Sequence, residues 1–262
     1  NDGAENFTSV EIDENNNGFY AVYAADFDSD GNIDVVASKH GTLVWYKNNG
    51  SESFTLNSID SEKEFSDVYA IDLDNDGDND ILSCTSNTGS IDYPHVDKVL
   101  WYENDGTGSF TKHTIVSDAH RASAVFAIDL DSDGDIDVLH SSTWDNTVAW
   151  HKNDGNENFT TYVISSSAGF AKDVFALDMD GDNDIDIITV QFTDSKVIWY
   201  ENDGSENFSS HIVSTQAANP GSVHAADLDN DGDVDILSSA HPTTHWHKND
   251  GSQNFTRSEE RR

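Results

Sequence analysis

Apolar and polar positions alternate along this chain with period two, in short runs. Val125-Phe126-Ala127-Ile128, Ile136-Asp137-Val138-Leu139, Thr147-Val148-Ala149-Trp150 and Phe159-Thr160-Thr161-Tyr162-Val163 follow one another within one stretch. Each run is rich in β-branched and aromatic residues and is bounded by Gly, Asn, Asp or Ser, which predicts four successive strands, A to D. No stretch carries the 3.6-residue period of a helix.

The pattern repeats. Val-aromatic-Ala-x-Asp-x-Asp-x-Asp-Gly-Asp-x-Asp, with small departures, recurs five times, its first Asp at Asp26, Asp72, Asp129, Asp178 and Asp227, spaced by 46, 57, 49 and 49 residues. A second phrase follows each copy, as in Trp45-Tyr46-Lys47-Asn48-Asn49-Gly50 and Trp199-Tyr200-Glu201-Asn202-Asp203-Gly204. A Phe-centred segment such as Asn158-Phe159-Thr160 comes next. Four strands in a unit of this length predict an all-β fold, a β-propeller of four-stranded blades. The alternative, a solenoid of β-hairpins, requires shorter repeats. Read by phrase, the units run over about 1–47, 48–103, 104–152, 153–201 and 202–248, with a partial unit 249–262, in one domain 1–262.

Between strands A and B lie five nine-residue acidic loops. They hold Asp26, Asp28, Asp30, Asn32 and Asp34; Asp72, Asp74, Asp76, Asp78 and Asp80; Asp129, Asp131, Asp133, Asp135 and Asp137; Asp178, Asp180, Asp182, Asp184 and Asp186; and Asp227, Asp229, Asp231, Asp233 and Asp235. Carboxylates at positions 1, 3, 5 and 9 converge when the chain turns tightly, Gly at position 6 takes the positive φ of the turn, and position 7 offers its carbonyl. So many like charges repel unless a cation sits among them. Oxygen-only donors suit Ca²⁺ before Mg²⁺ and exclude a thiolate or imidazole metal, so about five Ca²⁺ sites are expected. Asn32 is harmless at position 7 if the backbone oxygen is the ligand. In the fourth loop Gly181 holds position 4 and Asn183 position 6, and Asn tolerates the left-handed conformation.

The Asp-x-Asp-x-Asp-Gly-x-x-Asp loop between strands, repeated with the Trp-Tyr-Glu-Asn-Asp-Gly phrase, resembles the FG-GAP or VCBS repeat family over nearly the whole chain. The resemblance implies a calcium-binding β-propeller similar to integrin α-subunit heads and secreted bacterial repeat proteins. It also implies metal on the A–B loop face, ligands on the opposite face formed by the B–C and D–A loops, and typically seven blades. Five are visible, so the ring is either five-bladed or part of a larger propeller. Residues 1–8 and 249–256 both copy the C–D turn and fourth strand, and only one of them can occupy the outer position beside Trp246.

Residues that depart from the repeat are the candidates for ligand binding: Trp144, Asp145 and Asn146 in the third B–C turn, Tyr93 and His95 in an insertion of the second, and His40, Phe192 and His241 in the others. Before strand A stand Phe19-Tyr20, His120-Arg121, Phe170 and Asn219-Pro220. Aromatic platforms beside Asp, Asn and His suit sugar rings and their hydroxyls. The repeated Trp residues are expected between blades.

Charge narrows the partners. The 262 residues include 50 acidic against 13 basic ones, a net charge of -37, and 24 of those carboxylates lie in the five loops. A nucleic acid would meet a repelling field. No run of about 18 apolar residues exists to span a membrane, and 10% aromatic residues exclude a disordered acidic chain. Cys84 is the lone cysteine, so no internal disulfide forms. Calcium loops that fill near millimolar ion place the protein outside the cell or on its surface. The expected role is a calcium-stabilised, lectin-like binding or adhesion module, with a glycan favoured over a surface protein. An enzyme is the alternative class. Propellers of this resemblance can carry lyase or dehydratase sites, but none of the nucleophile-elbow, zinc or phosphate-loop motifs is present.

Overall fold

Strands B and C of the first four repeats are largely apolar runs, the pattern of strands covered on both faces, while strand C of the fifth, Thr243–Asn249, is polar around Trp246, and strand D is mostly polar throughout. The computed structural model describes residues 9–13, 18–51, 53–61, 64–86 and 97–259. Among them there is no helix, and twenty strands form five four-stranded antiparallel sheets. The first sheet contains β1 (Phe19–Ala25), β2 (Asp34–Lys39), β3 (Thr42–Asn48) and β4 (Phe54–Asp60). The second contains β5 (Phe65–Ile71), β6 (Asp80–Thr85), β7 (Val99–Asn104) and β8 (Phe110–Val116), and the third β9 (Ala122–Ile128), β10 (Asp137–Ser142), β11 (Val148–Asn153) and β12 (Phe159–Ser165). The fourth has β13 (Ala171–Leu177), β14 (Asp186–Gln191), β15 (Lys196–Asn202) and β16 (Phe208–Ser214); the fifth has β17 (Pro220–Ala226), β18 (Asp235–Ala240), β19 (Thr243–Asn249) and β20 (Phe255–Glu259).

Within every sheet the strands follow chain order, each hydrogen-bonded to the next. The sheets are therefore offset from the phrase-defined units, whose limits at 47, 103, 152, 201 and 248 fall inside third strands, because each Phe-centred strand pairs with the strand before it. The last outer position belongs to β20, paired with β19. Residues 1–8, its competitor in the sequence, lie outside the described residues.

Hydrophobic clusters fill the spaces between consecutive sheets. Trp45 joins Phe65, Val68 and Leu100 of the second sheet; Trp101 joins Val125 and Val138 of the third. Trp150 joins Val174 and Ile187 of the fourth, and Trp199 joins Val223 and Ile236 of the fifth. Burying such a ring against the next sheet couples neighbouring repeats, since none can cover its apolar face alone.

Innermost strands β1, β5, β9, β13 and β17 pack in succession, but β17 and β1 do not pack comparably against each other. The five blades thus form an open array. Its ends show what a missing neighbour means: Val22 on β1 is 65% exposed, whereas Val68, Val125, Val174 and Val223 at the same place in later repeats are at most 5% exposed. At the other end Leu228 is 38% exposed and Trp246 half-buried.

Candidate functional site

Each acidic loop turns on two left-handed residues, at positions 4 and 6: Ser29 and Gly31, Asn75 and Gly77, Ser132 and Gly134, Gly181 and Asn183, Asn230 and Gly232. The fourth loop exchanges which of the two is glycine and keeps the conformation, with Asn183 at φ 77°. This turn aims the N–H groups of positions 5 and 6 at the first carboxylate, as in Asp76 N and Gly77 N on Asp72 at 3.1 and 3.0 Å. In the shifted loop the donors are Gly181 and Asn183, at 2.7 and 3.1 Å from Asp178.

The position-9 residues Asp34, Asp80, Asp137, Asp186 and Asp235 are fully buried at the start of strand B. Each accepts the N–H of its loop's second residue and that of the phrase Asn. For Asp137 these are Leu130 N at 3.2 Å and Asn153 N at 2.8 Å. Asp78, Asp135, Asp184 and Asp233 at position 7 lean instead on the glycine of the C–D turn.

Carboxylate oxygens gather within 4.8 Å of one another in all five loops: Asp26, Asp28 and Asp34; Asp72, Asp74 and Asp76; Asp129, Asp131 and Asp137; Asp178, Asp180 and Asp186; Asp227, Asp229 and Asp231. The residues fit the cation that their spacing predicts. Donors are all oxygen, and one buried oxygen each of Asp28, Asp131 and Asp229 has no hydrogen-bond partner. An ion would satisfy that atom.

The loops differ in the phrase residue beside them. Lys47, Lys152 and Lys248 pair with the third-position Asp28, Asp131 and Asp229, and Lys248 Nζ also lies 3.1 Å from Asp231. In the second and fourth repeats the same place holds Glu103 and Glu201, bonded to His113 and His211 at 2.8 and 2.6 Å. Burial raises Asp74 and Asp180, and the neighbouring carboxylates, Glu103 and Glu201 included, add to it.

Burial also pushes Asp80, Asp137 and Asp186 up to about 7, against the N–H groups that favour their charge. Asp67 rises to about 7 for the same reason, although it accepts the N–H of Val125 in the next sheet at 3.0 Å. In metal-free protein these groups hold a proton that the unfolded chain releases near pH 4. Folded pKa values above unfolded ones mean stability present at low pH and lost as pH rises from about 4 to about 7. In EDTA the melting temperature is therefore expected to be several degrees lower at pH 8 than at pH 5. A melting temperature that rises across this interval would contradict the assignment.

The opposite face, where A strands begin and B strands end, carries a cleft of about 260 Å³. Tyr20, Glu64, Phe65, Ser66, Ser86, Arg121, Ser123, Thr143, Phe170 and Lys172 line it. Tyr20, Ser66, Ser123 and Lys172 are the extra residues of β-bulges: Phe19 and Ala21 pair with consecutive residues of β2, and Phe65 and Asp67, Ala122 and Ala124, and Ala171 and Asp173 do likewise in their sheets. A bulge re-aims the side chain it leaves unpaired. All four stand six residues before a first loop Asp.

Three of the sequence candidates reach this cleft's surroundings. Trp144 lies under the Arg121 guanidinium at 4.6 Å, Phe192 lies 5.8 Å from Phe170, and His40 Nδ1 is 3.4 Å from Glu64. Asn146 is structural, its Oδ1 accepting Phe170 N at 2.8 Å, and Asp145 keeps one buried oxygen without a partner. His241 sits in the β18–β19 turn and does not line the cleft. Tyr93 and His95 lie outside the described residues. Ser66, Ser123, Thr143 and Lys172 were missed from the sequence, though Lys172 is one of few cations and stands out there.

No curated protein matches the chain. Among solved structures, a functionally unknown protein from Desulfotomaculum acetoxidans is similar at 15% identity, TM-score 0.61, covering 93% of this chain and 69% of that one. A putative gluconolactonase is similar at 14% identity, TM-score 0.52, covering 81% and 69%. An Agrocybe aegerita lectin specific for non-reducing terminal N-acetylglucosamine has 18% identity, TM-score 0.48, and coverage of 90% and 78%. For the first two, at these identities, the likeness concerns fold alone. The model of the FG-GAP-like repeat matches residues 26–83, 72–140, 129–189 and 178–238, each match running from one acidic loop past the next. Loops, phrases and sheets agree with those matches, and the chain belongs to the FG-GAP-like repeat family.

Proposed function

We propose that this chain is an extracellular, calcium-stabilised binding module whose ligand is a carbohydrate. Calcium is supported by the oxygen-only clusters and their unpartnered carboxylate oxygens. The ion would be held by loop positions 1, 3, 5 and 9, and it would neutralise carboxylates that otherwise repel. The extracellular assignment rests on that calcium, because loops without a position-12 glutamate fill where the ion is abundant.

One observation carries the choice of ligand: the cleft combines the rings of Tyr20 and Phe170 with the hydroxyls of Ser86 and Ser123, over a floor of buried Phe65 and of Ser66 and Thr143, whose hydroxyls donate to the Ala122 and Arg121 carbonyls. Apolar ring faces stack on a sugar's C–H surface while hydroxyls exchange hydrogen bonds with it. Protein adhesion is the second reading and catalysis the third. A glycan array run beside a pull-down separates the first two: array binding abolished in Phe170→Ala supports the lectin-like role, whereas protein capture with an unresponsive array would assign adhesion. Turnover of a polysaccharide by the purified chain would revive the enzyme.

A further inference from the structure

The charge inside the cleft runs against the charge of the molecule. Of 13 basic residues in a chain with 50 acidic ones, Arg121 and Lys172 line the same cleft. Among the described residues neither has a carboxylate within ion-pair distance. Arg121 Nε is buried without a hydrogen-bond partner. Its guanidinium is laid on the Trp144 ring, and Lys172 Nζ sits 5.3 Å from the Phe170 ring centre and 5.9 Å from that of Phe192. Glu64, the acidic residue of the lining, faces His40 instead.

Two neighbouring cations repel, and so acidic a protein has carboxylates in plenty with which to pair them. Holding both on aromatic faces, with Lys172 placed by a bulge, keeps their side chains out of ion pairs with the described residues, and the nearby Asp97 carboxylate accepts the Arg121 backbone N–H at 2.9 Å. We propose that the cleft takes a carboxylate-bearing sugar, with Arg121 and Lys172 binding the carboxylate and the rings of the cleft binding the sugar face. The proposal rests on the carbohydrate reading above. A sugar acid is favoured over an acidic peptide because the lining supplies the rings of Tyr20 and Phe170 and the hydroxyls of Ser86 and Ser123, a combination suited to a polyhydroxylated ring. The protein's distant carboxylates oppose this little at physiological salt, where screening acts within about 8 Å.

The test measures binding of trigalacturonic acid, its methyl ester and triglutamate by calorimetry, in the full chain with calcium. Removing either partner of a charge-assisted hydrogen bond weakens binding roughly tenfold or more. The acid is therefore expected to bind at least ten times more tightly than the ester, and Arg121→Gln and Lys172→Gln each to remove about that factor. Lys112→Gln, a cation elsewhere on the surface, should bind like the parent protein. Should Arg121→Gln melt early, Lys172→Gln decides. Equal affinity for acid and ester, or an undiminished Lys172→Gln, overturns the carboxylate assignment while leaving a neutral-sugar lectin standing. Triglutamate binding as tightly as the sugar acid overturns the sugar in favour of a peptide. Failure of every glycan on the array and of trigalacturonic acid removes both this proposal and the carbohydrate reading beneath it.

Discussion

Chelation of divalent cations is expected to lower the melting temperature by about 15 °C or more. With free calcium tenfold above each dissociation constant, one loop adds about 1.4 kcal/mol. Five loops add about 7 kcal/mol, comparable with the whole stability of a typical domain, and a chain of this size shifts by roughly 2–4 °C per kcal/mol. Calorimetric melts in EDTA and across a calcium titration measure this, and an unchanged melting temperature would sink the metal assignment. The titration should also rise in two phases. Glu103 and Glu201 add negative charge beside the second and fourth loops, whereas Lys47, Lys152 and Lys248 already place an ammonium on the others. Affinity of such sites follows ligand charge. Two loops therefore fill before three, and Lys152→Gln should move the third loop into the early phase.

Substituting Gly108 by Ala is expected to cost about 3 kcal/mol, where Gly41→Ala costs about 1 kcal/mol. Both glycines are left-handed, at φ 77° and 76°, so both variants bear the same backbone strain. Only Gly108 lies against another residue. A Cβ there would stand 2.2 Å from the ring of Trp45, which is 5% exposed between the first two sheets, whereas a Cβ on Gly41 meets nothing within 4 Å. Equilibrium urea unfolding of the two variants gives the difference directly. Equal losses would mean that Trp45 moves aside freely and that the first inter-sheet seam is loosely packed. A shift in tryptophan emission with Gly108→Ala alone would place the disturbance at Trp45.

Strand, turn and loop were legible because each is a local matter. Strands B and C read as apolar runs since neighbours cover both their faces, and strand D as polar since it lies at the edge. The acidic loops were legible for the same reason: their partners lie within nine residues, as Gly77 N and Asp72 do. The second left-handed residue of each loop, such as Ser132, was not, because serine carries no sign of positive φ. The packing of Trp45, Trp101, Trp150 and Trp199 between sheets followed from repetition, but the half-buried state of Trp246 depends on the absence of a sheet beyond it.

By itself the sequence determined the all-β class, four-stranded repeats and five acidic loops, which gather 24 of the 50 acidic residues behind a net charge of -37. Those features arise from short-range periodicity and spacing, which the chain writes in order. Tertiary structure alone decided that the array stays open between β17 and β1, that β20 takes the last outer position, and that Tyr20, Ser66, Ser123 and Lys172 meet. These four come from four different repeats, and the bulge that turns each toward a common cleft depends on pairing between strands. Repetition announces the residues that build the fold, since every blade needs them. A cleft made by one position of successive blades is assembled from residues that differ, and only stacking the sheets brings them together.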